Sequence, residues 1–464
     1  MKNVLLFIIS FSLVTLLTAQ NEAYTRANLE EEMAMITKGM EIYHPNAYHY
    51  VDSMEMATYR KEVLATVPEQ LTALEAYREL NKYVCLFNDG HTRLWDYHLG
   101  KAYKANDGRY LPFSVKVTSE QLIIKKDYET DGVLEGHQIE SINGINAKEL
   151  IAEMVLHASR ETTTLDYTLL SNNFGRYLWL TYGWESNFSV TTTDPSGAAK
   201  TATYTGVTIA QKVAAQPKAE KRPAVSYRMI DNDVAYLQIT HFEGRPKAFH
   251  KKFEEAFAFF HESGAQQLII DARNHGGGDS RIGKDLARYF ADAPFKQFAY
   301  SEWKATPQFK ENFKAIFLPK SVHWAVPVLK GLNPHFKAIY SAEDHANARV
   351  EYKPVKPYRG KRAFTGEVFL LMDKNTFSAG TCFAAIVKDY NMATIIGQES
   401  GNLANFHADG LIRFNLPVSG LHLQVSTSYL VRPNGDESQT PVQPDVKLAE
   451  NIDALEYALQ LSKK

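Results

Sequence analysis

Cysteine is nearly absent: Cys85 and Cys382 are the only two, too few for a disulfide scaffold or a cysteine zinc site. An oxidising compartment would permit their pairing, but two buried thiols are the simpler expectation. A charge excess is also missing. The 53 acidic and 51 basic residues nearly cancel, no basic block stands out, and nucleic acid is not an expected partner. No internal repeat or low-complexity tract appears. The fifteen histidines include no His-x-x-x-His pair flanking a glutamate, so neither a metal nor a cofactor is expected. The one strongly apolar run, Val4 to Leu17, falls short of the ~20 residues of a spanning helix. Lys2 precedes it and Thr18-Ala19-Gln20 follows, the layout of a secretory leader (1–19) cleaved after Ala19. No cysteine follows the run to carry a lipid. The expected mature protein is therefore periplasmic or secreted, without a stable membrane anchor.

The 464 residues that are present exceed one compact core and suggest two to four domains. Arg26–Lys38 and Leu71–Leu86 carry apolar residues at helical spacing, so 20–102 reads as a helical N-terminal domain. It ends near the loop Asn88-Asp89-Gly90-His91-Thr92. From Leu111 the pattern alternates (Phe113, Val115, Val117, then Leu122, Ile124), and 103–208 reads as a β-rich module containing a helix over Ala147–Ala158. Residues 209–223 are polar and proline-flanked, a predicted surface linker. Beyond it strands and helices alternate over 224–464: Val234–Thr240, a helix over Lys247–Ser263, Gln267–Ala272, a helix from Arg281, Val368–Met372, a helix over Ala379–Tyr390, and Thr394–Ile396. The stretch 295–360, rich in Phe, Lys, Trp and Pro, interrupts this rhythm as an insertion able to wall a site. The expected class is α+β and multidomain.

Two stretches carry chemistry. Val368 to Thr381 runs from a buried strand through a polar turn into a helix, with Ser378 at the helix N-terminus. Free N–H groups and the positive dipole end there favour an oxyanion beside the hydroxyl. Serine is also a preferred N-cap, and the local pattern alone favours that plainer role. The second stretch, Leu268 to Gly278, is a buried strand ending in His275-Gly276-Gly277-Gly278, where backbone N–H groups can approach a ligand closely.

Taken together, Asp271–Gly278 and Asp373–Thr381, with Ala393–Gly397 and Pro444-Asp445-Val446, resemble the signature of the S41 peptidases, the C-terminal processing and tricorn-like proteases. The resemblance spans most of 225–450 and implies a ClpP/crotonase-like β/α catalytic core. Leu134 to Gly144 is similar to part of a PDZ domain, a module that can engage substrate termini by strand addition. One branch of the family pairs its serine with a lysine one helix and one strand later. Here Lys388 lies within the helix after Ser378, and the next lysine is Lys447. The other branch uses a histidine from the preceding helical domain, which matches His91. His407 and His275 are the lesser candidates, expected as solvent-facing loop residues.

The resemblance further implies an orienting glutamate shortly before Pro441-Val442-Gln443-Pro444-Asp445. Strict spacing lands on Ser438, and a one-residue shift gives Glu437. Oxyanion donors would be the N–H of Ala379 and of Gly277 or Gly278, between which the sequence does not choose. The implied activity is hydrolysis of polypeptides through an acyl-enzyme on Ser378 with His91 as base. The competing expectation is an inactive peptide- or lipophile-binding protein on the same scaffold, which the departure at Ser438 and Pro441 keeps open.

Overall fold

The computed structural model describes residues 24–158, 161–216, 222–409 and 412–462. The leader expected over 1–19 lies outside the described residues. Helices Arg26–Tyr43, Ser53–Thr66 and Ala73–Cys85 open the fold. The first and third start on capping boxes, Thr25 with Asn28 and Thr72 with Glu75, which satisfy N–H groups that a helix start leaves bare. Their core (Leu29, Met33, Ile36, Leu80, Tyr83) is completed by Leu421, Leu423 and Val425 from the far end of the chain. Strand Arg93–Trp95 also pairs antiparallel with His422–Val425. The N-terminal helices and the C-terminal half therefore share one core, an interdependence that local periodicity does not reveal.

The β-rich module is a sheet in the order 199–204, 188–193, 138–142, 122–127, 113–117. The alternation read in the sequence places Phe113, Val115 and Val117 inward. They meet helices Ala147–Val155 and Thr163–Tyr182. Within the expected linker, Ile209–Ala214 forms a short exposed helix, capped by Thr208 and Gln211. That capping box is a signal that composition alone had obscured, and 209–223 is not wholly irregular; residues 217–221 lie outside the described residues.

The third region is a sheet of six strands, Val225–Met229, Val234–Ile239, Gln267–Asp271, Glu367–Met372, Thr394–Gly397 and Val446–Lys447, parallel after the first pair. Its central strands are continuous apolar runs because both faces are covered. Leu268, Ile270 and Leu370 pack beneath helices Pro246–Glu262 and Ala379–Asp389, while Ile269, Phe369 and Leu371 face helix Ala454–Leu461. The carboxyl ends of the strands carry the glycine turn and the Ser378 turn to one edge, where α/β sheets place ligands. The 295–360 stretch is woven into the fold. Tyr300–Lys304 pairs with Asn347–Glu351 on one side and with Ser428–Val431 on the other. Among the described residues no helix is long and apolar enough to cross a membrane.

Candidate active site

Ser378 stands between strand Glu367–Met372 and helix Ala379–Asp389 with φ 55° and ψ −118°. A non-glycine residue there stores roughly 1–3 kcal/mol and persists only where its surroundings over-determine it. They do so here. The Ser378 N–H donates to Asn402 Oδ1 at 2.8 Å, and Thr381 Oγ1 donates to the same oxygen at 2.6 Å. Phe377 N–H donates to the His275 carbonyl at 2.9 Å, and Thr376 Oγ1 to the Ala272 carbonyl at 2.8 Å. The glycine turn packs so tightly that a Cβ on Gly277 would stand 2.9 Å from Ser378 Cβ. The N-cap reading is corrected: the side chain makes no capping hydrogen bond. It points to His91 instead.

His91 Nε2 lies 3.0 Å from Ser378 Oγ. Its loop is fixed from several sides. Asp89 Oδ1 accepts the His91 N–H at 2.9 Å, and Gln424 Nε2 donates to the His91 carbonyl at 2.9 Å. The imidazole is sandwiched between Phe377 (4.8 Å, 18°) and Phe406 (5.2 Å, 14°). Burial pushes the His91 pKa down to about 4, with the Asp89 charge opposing and Arg93 reinforcing the shift. The ring is therefore neutral at neutral pH, and Nε2 can accept the hydroxyl proton when the ring proton sits on Nδ1. That Nδ1 is buried without a hydrogen-bond partner among the described residues.

Burial alone would raise the Asp89 pKa, but the hydrogen bond and charge of His44 and the fields of His407 and His91 outweigh it and hold the carboxyl well below its ordinary range. It also accepts Thr92 Oγ1 at 2.5 Å and lies 3.4 Å from His44 Nε2.

Glu437 does not join this group. It is exposed, and its carboxylate accepts the Tyr300 hydroxyl. Ser438 Oγ donates to Asp436 Oδ2 at 2.9 Å. His407 and His275 are not solvent-facing as expected: both are buried, His407 in the strand Phe406–Ala408 that pairs with Ser428–Val431, and His275 in the glycine turn with its ring 4.3 Å from that of Phe242. The His407 ring sits 4.2 Å from that of His44, and burial holds its pKa well down. His275 Nδ1 accepts the Gly277 N–H at 3.2 Å. That contact engages one oxyanion candidate, whereas the N–H groups of Gly278 and Ala379 have no acceptor among the described residues. Lys388 is paired with Asp445. No disulfide joins Cys85 and Cys382, both buried. Sequence reasoning missed Asn402, Gln424, Phe406 and Glu161. Only Asp89, inside the loop singled out around His91, carried a visible signal.

Residues 233–448 match the family model described as peptidase family S41. The matched segment, a little under half of the chain, is similar to the S41 peptidases. It contains Ser378, the glycine turn and Glu437, whereas His91 comes from outside it. Among solved structures, mature CPAF complexed with lactacystin is similar at 15% identity and a TM-score of 0.61, over 94% of this chain and 97% of that one. A CPAF mutant is similar at 13% identity and TM-score 0.65, over 94% and 96%. The photosystem II D1 C-terminal processing protease matches at 14% identity and TM-score 0.45, over 91% and 94%. At these identities the two CPAF structures show a shared fold along nearly the whole chain. No curated protein sequence matches.

Proposed function

We propose that the chain is an exported serine endopeptidase in which Ser378 is the nucleophile and His91 the general base. The observation that carries this reading is the 3.0 Å approach of His91 Nε2 to a serine hydroxyl held on a strained strand-to-helix turn. Ser378 Oγ attacks the scissile carbonyl while its proton passes to Nε2. The resulting oxyanion is received by the N–H groups of Ala379 and Gly278, and Asp89 supplies the negative charge nearest the new imidazolium. His91 then returns the proton to the departing amine, and water, deprotonated by the same nitrogen, releases the acyl group. A cavity of about 630 Å³ begins at Gly278 and is walled by Phe298, Trp303, Phe313, Phe336 and Tyr352. It offers room for a large apolar side chain of an extended polypeptide. Export rests on the apolar leader read over residues 1–19.

The unpartnered Nδ1 and the engagement of Glu437 by Tyr300 favour the second reading, an inactive binding protein. Intact-mass analysis after reaction with a fluorophosphonate separates the two. One adduct, lost in Ser378→Ala and slowed at least about 10³-fold in His91→Ala, is the expected result. A folded protein that takes no adduct would be a binding protein.

A further inference from the structure

The buried carboxyl of Glu161 belongs to neither catalytic role, yet it touches both catalytic loops. Its residue is only 7% exposed. Oε1 accepts the Leu403 N–H at 3.1 Å, next to Asn402, whose Oδ1 receives the Ser378 N–H. Oε2 presses on the loop of the base, where a Cβ on Gly90 would lie 1.9 Å from it. The following residues tie the same place to helix Thr163–Tyr182: Thr162 Oγ1 donates to the Gly401 carbonyl at 3.0 Å, and Thr164 Oγ1 to Glu399 Oε1 at 2.5 Å.

We propose that Glu161 is a positioning residue, a carboxyl wedge that fixes the Gly90-His91 loop and the Gly401–Leu403 loop at the separation the Ser378–His91 hydrogen bond requires. This rests on the hydrolase reading above. Neutrality is what the surroundings demand. Burial raises the Glu161 pKa to about 8, Asp89 adds to the rise, and the Leu403 and Gly90 N–H groups with the Asn402 amide pull partly back. The ionisable groups facing it are Asp89 on the base loop and Tyr50, whose hydroxyl donates to Gln439 at 3.0 Å. Behind Asp89 stand His44, His91 and His407. Two carboxyls so close cannot both ionise cheaply, so Asp89 keeps the charge and Glu161 the proton. Above pH 8 a second buried charge would push the two loops apart.

The test is the rate of fluorophosphonate adduct formation on the full chain from pH 6 to 10, in wild type, Glu161→Gln and Glu161→Ala, with thermal melts confirming folding. Wild type should lose rate about tenfold per pH unit above its break near 8, as for a single essential ionisation. Glu161→Gln keeps the shape without the ionisation and should react within about threefold of wild type at pH 7 while losing the alkaline break. Glu161→Ala should be slower by about 10²-fold at every pH, the penalty of misplaced groups. An alkaline break that persists in Glu161→Gln, or a folded Glu161→Ala that reacts at the wild-type rate, overturns the proposal and leaves the hydrolase reading intact. Wild type that takes no adduct at pH 7 overturns both.

Discussion

The two halves of the candidate site are built differently. The nucleophile rides on adjacent parallel strands: Gln267–Asp271 and Glu367–Met372 run side by side, and their turns meet through Asn274 N–H to Asp373 at 2.9 Å and Asn375 Nδ2 to Asn274 Oδ1 at 2.9 Å. The base rides on a short loop whose supports come from everywhere else in the chain: His44, Glu161, Phe406, Gln424 and Ser426. One half is a product of local sheet geometry, the other of long-range assembly. The nucleophile side should therefore tolerate loss of its distant neighbours, and the base side should not.

The sharpest way to break this comparison is on the base itself. His91→Ala should lower kcat/KM for a peptide substrate by about 10⁶-fold, comparable to Ser378→Ala, because nucleophile and base act as one unit. A His91→Ala variant that retains most activity would mean the base lies elsewhere. On the nucleophile side, Gly277→Ala should cost about 10²-fold. The new methyl would meet Ser378 Cβ at 2.9 Å on a backbone with φ 116°, so kcat should fall and the melting temperature should drop with it.

Asp89→Asn tests the base loop with a change of one atom. It removes the charge facing His44 and weakens the acceptor for the His91 N–H, so we expect a loss of roughly 10- to 100-fold together with a lower melting temperature. A variant with unchanged activity would show that the aromatic sandwich alone orients the ring. The pH dependence follows in sign. His91 and His275 have folded pKa values of about 4, below the unfolded 6.5, so their share of stability is present above pH 6.5 and is lost as pH falls towards 4. The depressed Asp89 pKa extends that loss further into acid. Melting temperature measured from pH 7.5 down to 4.5 should fall steadily; a flat profile would place those histidines in water.

The same contrast explains what was legible in the sequence. Leu268–Gly278 and Val368–Thr381 announced themselves because a strand buried on both faces must be uniformly apolar and its exit turn must contain glycine or small polar residues. His91 was legible only through resemblance: nothing local in Asp89-Gly90-His91 states which residue it will meet across 287 positions. Asn402 and Glu161 were not legible at all. Their roles depend on burial against loops distant in sequence, and an isolated Asn or Glu carries no periodicity to betray that.

The smallest expected effect is the most discriminating. The family resemblance, with a one-residue shift from strict spacing, offered Glu437 as the carboxylate that orients His91. Its carboxylate instead accepts the Tyr300 hydroxyl, and its loop is held by Asn405, which donates to the Asp436 and Ser438 carbonyls at 2.8 Å. If the base is oriented by Phe377, Phe406 and Asp89, Glu437→Gln should change kcat/KM by less than about threefold, since an exposed hydrogen bond is worth about 1 kcal/mol or less. If Glu437 instead leaves Tyr300 to meet Nδ1 when substrate binds, the loss should approach the ~10⁴-fold seen when a triad carboxylate is neutralised. Tyr300→Phe separates the two further. It frees the carboxylate without removing it, so it should raise activity only if Glu437 is needed at His91.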